Sequence, residues 1–158
     1  MAAECVLFVG LPASGKSTFY QQRFAATHTH ISKDLWPKSA DKGARQAREL
    51  RTALAAGHSV VVDNTNPTVA DRAEVIGAAR QLGARVVGYY FAATTREAIG
   101  RNRGREGKAR VPNVAIFTAA KRMVVPTKEE GFDELWRVVI LPDGGFEVGP
   151  MQEEPKTF

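Results

Sequence analysis

The clearest chemistry in this chain lies in eight residues near its N-terminus, Gly10-Leu11-Pro12-Ala13-Ser14-Gly15-Lys16-Ser17. They fit G-x-x-x-x-G-K-[ST], the spacing at which a loop between strand and helix turns its backbone N–H groups inward around phosphate oxygens. Gly10 and Gly15 permit the tight curl. The helix expected to follow, over Thr18–Phe24, adds positive potential at its N-terminus. In such a loop Ala13, Ser14 and Gly15 line the cradle. Lys16 reaches the β- and γ-phosphates, and the Ser17 hydroxyl joins the shell of Mg²⁺. The pattern predicts a protein that binds ATP with Mg²⁺ and moves the γ-phosphate to a hydroxyl. The plain alternative is a tight turn with no ligand.

Two carboxylates can complete such a site. Asp63 ends the valine-rich run Ser59–Val62. There it can hold Mg²⁺ through water or orient an arginine, or it is only a turn-forming Asp in Asp63-Asn64-Thr65-Asn66-Pro67. Asp34 follows a weaker strand in Ile31-Ser32-Lys33-Asp34. At the carboxyl end of a parallel strand a carboxylate faces the ligand crevice and can accept the proton of an attacking hydroxyl. As a surface residue or helix cap near Pro37 it would do neither. Farther along, Arg96, Arg101, Arg103, Arg105, Lys108 and Arg110 face only Glu97 and Glu106. Arg101, Arg103 and Arg105 lie among Gly100, Gly104 and Gly107, which suits a mobile lid over residues 94–111 that closes on the nucleotide. Its arginines would neutralise the transferring phosphoryl group. Without a ligand the same run is a solvated basic face. His28, His30 and His58 read as structural, with no zinc site. Trp36 either packs or stacks on a base.

The elements that must position these residues can be read from periodicity. Cys5–Val9, Ser59–Val62, Arg85–Phe91, Trp136–Leu141 and, more weakly, His28–Ile31 predict strands covered on both faces. Ser39–Ala56 and Thr68–Leu82 predict helices, with stripes Ala44, Ala47, Leu50, Leu54 and Val69, Ala73, Ile76, Ala79. Thr68 with Asp71, Thr94 with Glu97 and Thr127 with Glu130 read as helix starts. Pro112 reads as a first helical residue, and Gly57 and Gly83 as stops. Strand–helix alternation predicts an α/β fold with a central parallel sheet and helices on both faces. One domain over residues 1–158 accounts for the length. From residue 142 no period is visible, and a loosely ordered tail over 142–158 is expected.

Bulk properties narrow the class. A chain 44% hydrophobic and 25% charged has the composition of a folded globule. No apolar run approaches the roughly 20 residues of a membrane span, and no signal-peptide pattern opens the chain. Cys5 is the only cysteine, so no internal disulfide forms and a reducing cytoplasm is the expected home. A net charge of +5 with a focused basic segment favours polyanions.

Taken together, these residues resemble the kinase domain of polynucleotide 5′-hydroxyl kinases, including that of the animal polynucleotide kinase–phosphatase. The matching stretches are Val9–Phe19, His30-Ile31-Ser32-Lys33-Asp34, Val61-Val62-Asp63-Asn64-Thr65-Asn66-Pro67, Arg101-Asn102-Arg103, Arg105-Glu106 and Val125-Pro126-Thr127-Lys128-Glu129-Glu130-Gly131-Phe132. They run in order from about Cys5 to Leu141. The resemblance implies a P-loop NTPase fold of the adenylate-kinase-like, three-layer α/β/α kind with an arginine-rich lid. It implies transfer from ATP to the 5′-hydroxyl end of DNA or RNA. By position, Asp34 would be the general base, Lys16, Ser17 and Thr18 the phosphate and metal contacts, Arg101 and Arg105 the lid arginines, and Asp63 the carboxylate of the second motif. Two positions depart from the family. Lys33 stands where an Arg is usual, keeping the charge without the fork of donors. Leu35-Trp36-Pro37-Lys38 offers no clear equivalent of an acceptor-side arginine that some relatives carry. Two rival readings keep the cradle: a P-loop kinase of a small-molecule or tRNA-linked hydroxyl, and a non-catalytic ATP-dependent binding module.

Overall fold

Valine-rich runs flanked by helical segments build one twisted sheet between two helical layers, in a computed structural model that describes residues 3–151. The strands are β1 (Glu4–Gly10), β2 (Thr29–Ile31), β3 (Val60–Asp63), β4 (Arg85–Phe91), β5 (Glu134–Ile140) and β6 (Phe146–Pro150). They stand in the order β2-β3-β1-β4-β5-β6, with the first five parallel. The helices are α1 (Lys16–Arg23), α2 (Lys42–Ala55), α3 (Val69–Gln81), α4 (Thr95–Arg103) and α5 (Asn113–Arg122).

Alternation along the strands divides the core in two. Cys5, Leu7, Val60, Val62 and Val86 point to one face, where α2 supplies Leu50 and Leu54 and α3 supplies Val75, Ile76 and Ala79. Val6, Phe8, Val61 and Val87 point to the other, against Phe19 and Tyr20 of α1. Both faces are therefore covered, as near-continuous apolar strands require. At one end α4 and α5 form a third apolar group with Leu11 of the glycine loop, through Ala98 and Ile116.

The expected helix starts are present. Thr68 accepts the Asp71 N–H at 3.1 Å, and Thr94 and Glu97 make a full capping box. Pro112 sits just before α5, whose first residue is Asn113. The stripe on α3 differs from the expected one. Arg72, Val75, Ile76, Ala78 and Ala79 are buried, while Val69 and Ala73 face outward. The helix is rotated because Arg72 has a buried partner, described below.

The expectation of a loosely ordered tail from residue 142 is corrected over its first part. Phe146–Pro150 form β6, antiparallel to β5, with Val148 opposite Val138. Asp143 accepts the Gly145 N–H at 2.8 Å, and Gly144 adopts φ 86°, making a tight hairpin. Phe146 then packs edge-on against Phe19 at 5.1 Å. Residues 152–158, with the acidic Glu153 and Glu154, lie outside the described residues, as does the side chain of Lys108. No helix among the described residues is long and apolar enough to cross a membrane.

Candidate active site

Because β1 to β5 run the same way, their carboxyl ends open on one edge of the sheet, where the glycine loop, Asp34 and Asp63 all emerge. The loop is close-packed. A Cβ on Gly10 would lie 2.9 Å from both Phe91 Cβ and Ser14 Oγ. Gly15 has φ 90°, and a Cβ there would meet Ile140 at 3.0 Å and Phe146 at 3.1 Å. The hairpin that the sequence did not reveal thus forms a wall of the cradle. Ala13 holds φ 63°, a left-handed conformation uncommon outside glycine. Ser14 Oγ is buried and has no hydrogen-bond partner among the described residues. An orphaned hydroxyl beside a curled loop is what a nucleotide's oxygens would satisfy, so the cradle fits the ligand that its spacing suggests.

Lys16 Nζ donates to the carbonyls of Leu11 at 2.8 Å and Gly10 at 3.1 Å, inside its own loop. Burial pushes its pKa down to about 8, against the pull of Asp63. Thr18 follows on the first turn of α1, exposed beside Ser17. Ser17 Oγ donates to Asp63 Oδ2 at 2.9 Å. A serine hydroxyl and a carboxylate are hard oxygen donors of the kind Mg²⁺ selects. Asp63 therefore does more than start a turn. The turn after it is itself anchored: Asn66 donates to the Phe8 carbonyl at 2.8 Å, and Gly10 N–H donates to Thr65 O at 3.1 Å.

Asp34 lies in a 3-10 turn (Lys33–Leu35) capped by Ser32 and is exposed to solvent. The turn is tied to the site by Lys33 N–H, which donates to Asn64 Oδ1 at 2.9 Å, while Asn64 Nδ2 donates to Gln46 of α2 at 2.6 Å. Asp34 is near enough to Lys16 and Arg105 to favour the charge on both. Trp36 packs one side on the core, and the Arg45 guanidinium lies over its ring at 4.7 Å. Arg45 pairs with Glu49 only at 3.8 Å, and its guanidinium makes no hydrogen bond among the described residues.

Of the basic run, Arg101 and Arg105 face the site and Arg103 points to solvent. Arg101 on α4 lines a cavity of about 370 Å³ together with Ser14, Glu97, Val138, Val139 and Ile140. Arg105 is half-buried and donates to the Ala109 carbonyl at 3.0 Å. Its burial, followed by the nearby Arg101 charge, weakens its hold on its proton, which Asp34 and Asp63 oppose. Between them Asn102 is buried and pins the segment back on itself. It donates to Val111 O at 2.6 Å and accepts Val111 N–H at 3.0 Å.

Three residues support the site through partners that local spacing does not reveal. His30 approaches Asp63 Oδ2 at 2.8 Å. Arg72 is wholly buried and grips Glu130 through Nε at 2.7 Å and Nη2 at 3.1 Å, while Nη1 donates to the Asn66 carbonyl at 3.0 Å. Glu130 also accepts the Thr127 N–H at 2.9 Å. The segment Thr127–Phe132 is thus a brace: it fixes the turn that fixes the end of β1, and Phe132 fills the space over Gly88, where a Cβ would come within 2.7 Å. The available signal for Arg72 was a charged residue at helical spacing from Ile76 and Ala79.

The AAA domain family model matches residues 5–126. Over 139 residues, 85% of this chain and 33% of the other, the sequence is 30% identical to a bifunctional polynucleotide phosphatase/kinase of Schizosaccharomyces pombe. The chain spans about a third of the length of the curated relatives it matches. Among solved structures, Kti12 of Chaetomium thermophilum in complex with ADP-AlF3 superposes with a TM-score of 0.64 at 17% identity, over 85% of this chain and 88% of that one. A gluconokinase from Sinorhizobium meliloti gives 0.61 at 18% identity, over 86% and 82%. The resemblance drawn from the sequence and the α/β fold class are both borne out, with β6 the antiparallel exception.

Proposed function

The chain belongs to the AAA domain family, and from that premise we propose that it transfers the γ-phosphate of ATP to the 5′-hydroxyl end of a polynucleotide. It is a phosphotransferase of the P-loop kind. The observation that carries the proposal is the placement of Asp34: it shares the sheet's open edge with the glycine loop and acts electrostatically on both Lys16 and Arg105. The acceptor is argued from the similarity to the polynucleotide phosphatase/kinase, from Lys33 and Lys38 close to Asp34 in the chain, and from Arg45, which lies over Trp36 just after the Asp34 turn.

In the proposed reaction the glycine loop holds the β- and γ-phosphates, with Thr18 adding a contact at the start of α1. Lys16 leaves the Gly10 and Leu11 carbonyls and turns to the phosphates, whose charge raises its pKa from about 8. Ser17 and Asp63 would hold Mg²⁺, which would supply positive charge to offset that of the phosphates. Asp34 takes the proton of the 5′-hydroxyl as its oxygen bonds to the γ-phosphorus. The bond from that phosphorus to the bridging oxygen breaks, and ADP leaves. Arg101 and Arg105 stabilise the charge on the transferring group. We place the reaction in the cytoplasm, where the buried thiol of Cys5 stays reduced.

The test uses γ-labelled ATP, Mg²⁺ and a panel of 5′-hydroxyl DNA and RNA oligonucleotides. The expected outcome is label at the 5′ end, lost at least about 10²-fold in Asp34→Ala, as removal of a general base requires. ATP affinity should stay near that of the unaltered protein. Absence of label on every oligonucleotide, with ATP binding intact, would overturn the acceptor. Activity within a few fold in Asp34→Ala would overturn the base.

A further inference from the structure

His30 has no part in the reaction just described, yet it touches the metal-binding end of the site. It lies on β2, opposite Val61 of β3. Its Nε2 is 2.8 Å from Asp63 Oδ2, the oxygen that also accepts the Ser17 hydroxyl at 2.9 Å. An ionised carboxylate only accepts, so Nε2 carries the hydrogen and donates it. The imidazole is stacked on Tyr20 at 4.0 Å and 14°, and Tyr20 is itself held by its hydroxyl on the His28 carbonyl at 2.7 Å. Asp63 is only 3% exposed, so little water competes for that oxygen.

These contacts run in one direction. A serine hydroxyl has one hydrogen and two lone pairs. With its hydrogen given to Asp63, the lone pairs of Ser17 point away from Asp63 and can meet a cation. That orientation lasts only while Oδ2 stays in place. We propose that His30 is a positioning residue for the Mg²⁺ site: it fixes Asp63 Oδ2, and through it the lone pairs of Ser17. The inference rests on the reading that Ser17 and Asp63 hold Mg²⁺. Hydrogen-bond partners of metal ligands commonly govern affinity in this way. The competing explanation is that His30 only fills space against Tyr20.

Two substitutions separate these roles. His30→Phe keeps a ring for Tyr20 and removes the N–H. His30→Gln removes the ring and keeps a donor at a similar reach. Mn²⁺ serves as the probe, its binding to the ADP-loaded protein followed by electron paramagnetic resonance of the free ion. ADP affinity in EDTA and thermal stability are measured alongside. His30→Phe should weaken Mn²⁺ about tenfold or more, within the range typical for such partners, with ADP affinity in EDTA unchanged. His30→Gln should bind Mn²⁺ within about threefold of the unaltered protein. His30→Leu repeats the loss of the N–H with a smaller group. Unaltered Mn²⁺ affinity in the Phe and Leu variants would overturn the proposal, as would a Gln variant as weak as Phe. Ser17→Ala is the control for the underlying reading. If it too binds Mn²⁺ normally, the metal assignment itself fails, a result distinct from failure of His30 alone.

Discussion

Burial holds the Lys16 ammonium near pKa 8, so at pH 7 the folded chain carries a charge it has partly stripped of water. The unfolded lysine titrates near 10.5. Between those values the unfolded state binds more protons than the folded one, so stability rises with pH across that window. Below about 8 the full cost is present; above about 10.5 it vanishes. At 1.36 kcal/mol per pKa unit the cost is about 3 kcal/mol. Hydrogen bonds from Lys16 to the Gly10 and Leu11 carbonyls offset part of it. Lys16→Met should therefore be more stable than the unaltered protein at pH 7 by about 1–3 kcal/mol, or about 2–12 °C in Tm for a chain of this size. The difference should shrink as pH rises above about 8, while transfer activity is lost throughout. Thermal melts of both proteins from pH 7 to pH 10 check this, and a pH-independent difference would count against a buried charged lysine. A cost of this kind is expected where a site must be ready for a polyanion before one arrives.

Elements, not single residues, hold the site's shape, and the brace built on Arg72 and Glu130 is the clearest case. Breaking one partner of a buried ion pair typically costs about 3–5 kcal/mol, because the other charge stays buried and alone. Glu130→Ala should thus lower the urea midpoint strongly, and it should also weaken ATP binding, since the Asn66 turn that anchors the end of β1 loses its support. The double change Arg72→Met with Glu130→Leu tests the second effect by itself. Two well-packed apolar groups can replace such a pair at little cost in stability, yet the Asn66 carbonyl still loses its donor. Near-normal stability with weaker ATP affinity is expected; normal ATP affinity would show that the brace serves stability alone. The same comparison shows what could be read in advance. The glycine loop, the first five strands and the caps at Thr68 and Thr94 were legible because each depends on local spacing or local hydrogen bonds. Glu130 was legible as the local partner of Thr127, but its pairing with Arg72 and that of His30 with Asp63 were not, because those partners lie 58 and 33 residues away and only the folded sheet brings them together. β6 was hidden for a related reason: its alternation over Phe146 and Val148 is short, and the partner strand supplies the other half of the signal.

At the scale of the whole molecule the question is where a polynucleotide chain would leave the site. The net charge of +5 is unevenly placed: basic residues outnumber acidic ones both from Arg96 to Arg110 and from Lys33 to Arg51. In the proposed reaction Arg101 and Arg105 serve the transferring phosphoryl group, so the acceptor's own phosphates must be met elsewhere. Close to Asp34 in the chain stand Lys33 and Lys38, both exposed, and Arg45 lies over Trp36 with only a 3.8 Å partner. A guanidinium held over an indole keeps N–H donors for a phosphate, and less freedom is lost when it binds. Each phosphate neutralised in a single strand adds about 0.7 to the slope of log affinity against log salt. Binding of a 5′-hydroxyl oligonucleotide should therefore weaken steadily with salt. In Arg45→Ala that slope should fall by about one phosphate's share, with ATP affinity unchanged because Arg45 lies on the acceptor side. Trp36→Ala should act in the same direction by freeing the guanidinium from its support. A slope that Arg45→Ala leaves unaltered would remove this face from the acceptor's path. An acceptor that binds with no salt dependence at all would point to a small neutral hydroxyl compound, because the protein's basic side chains would then be releasing no counterions from a chain of phosphates.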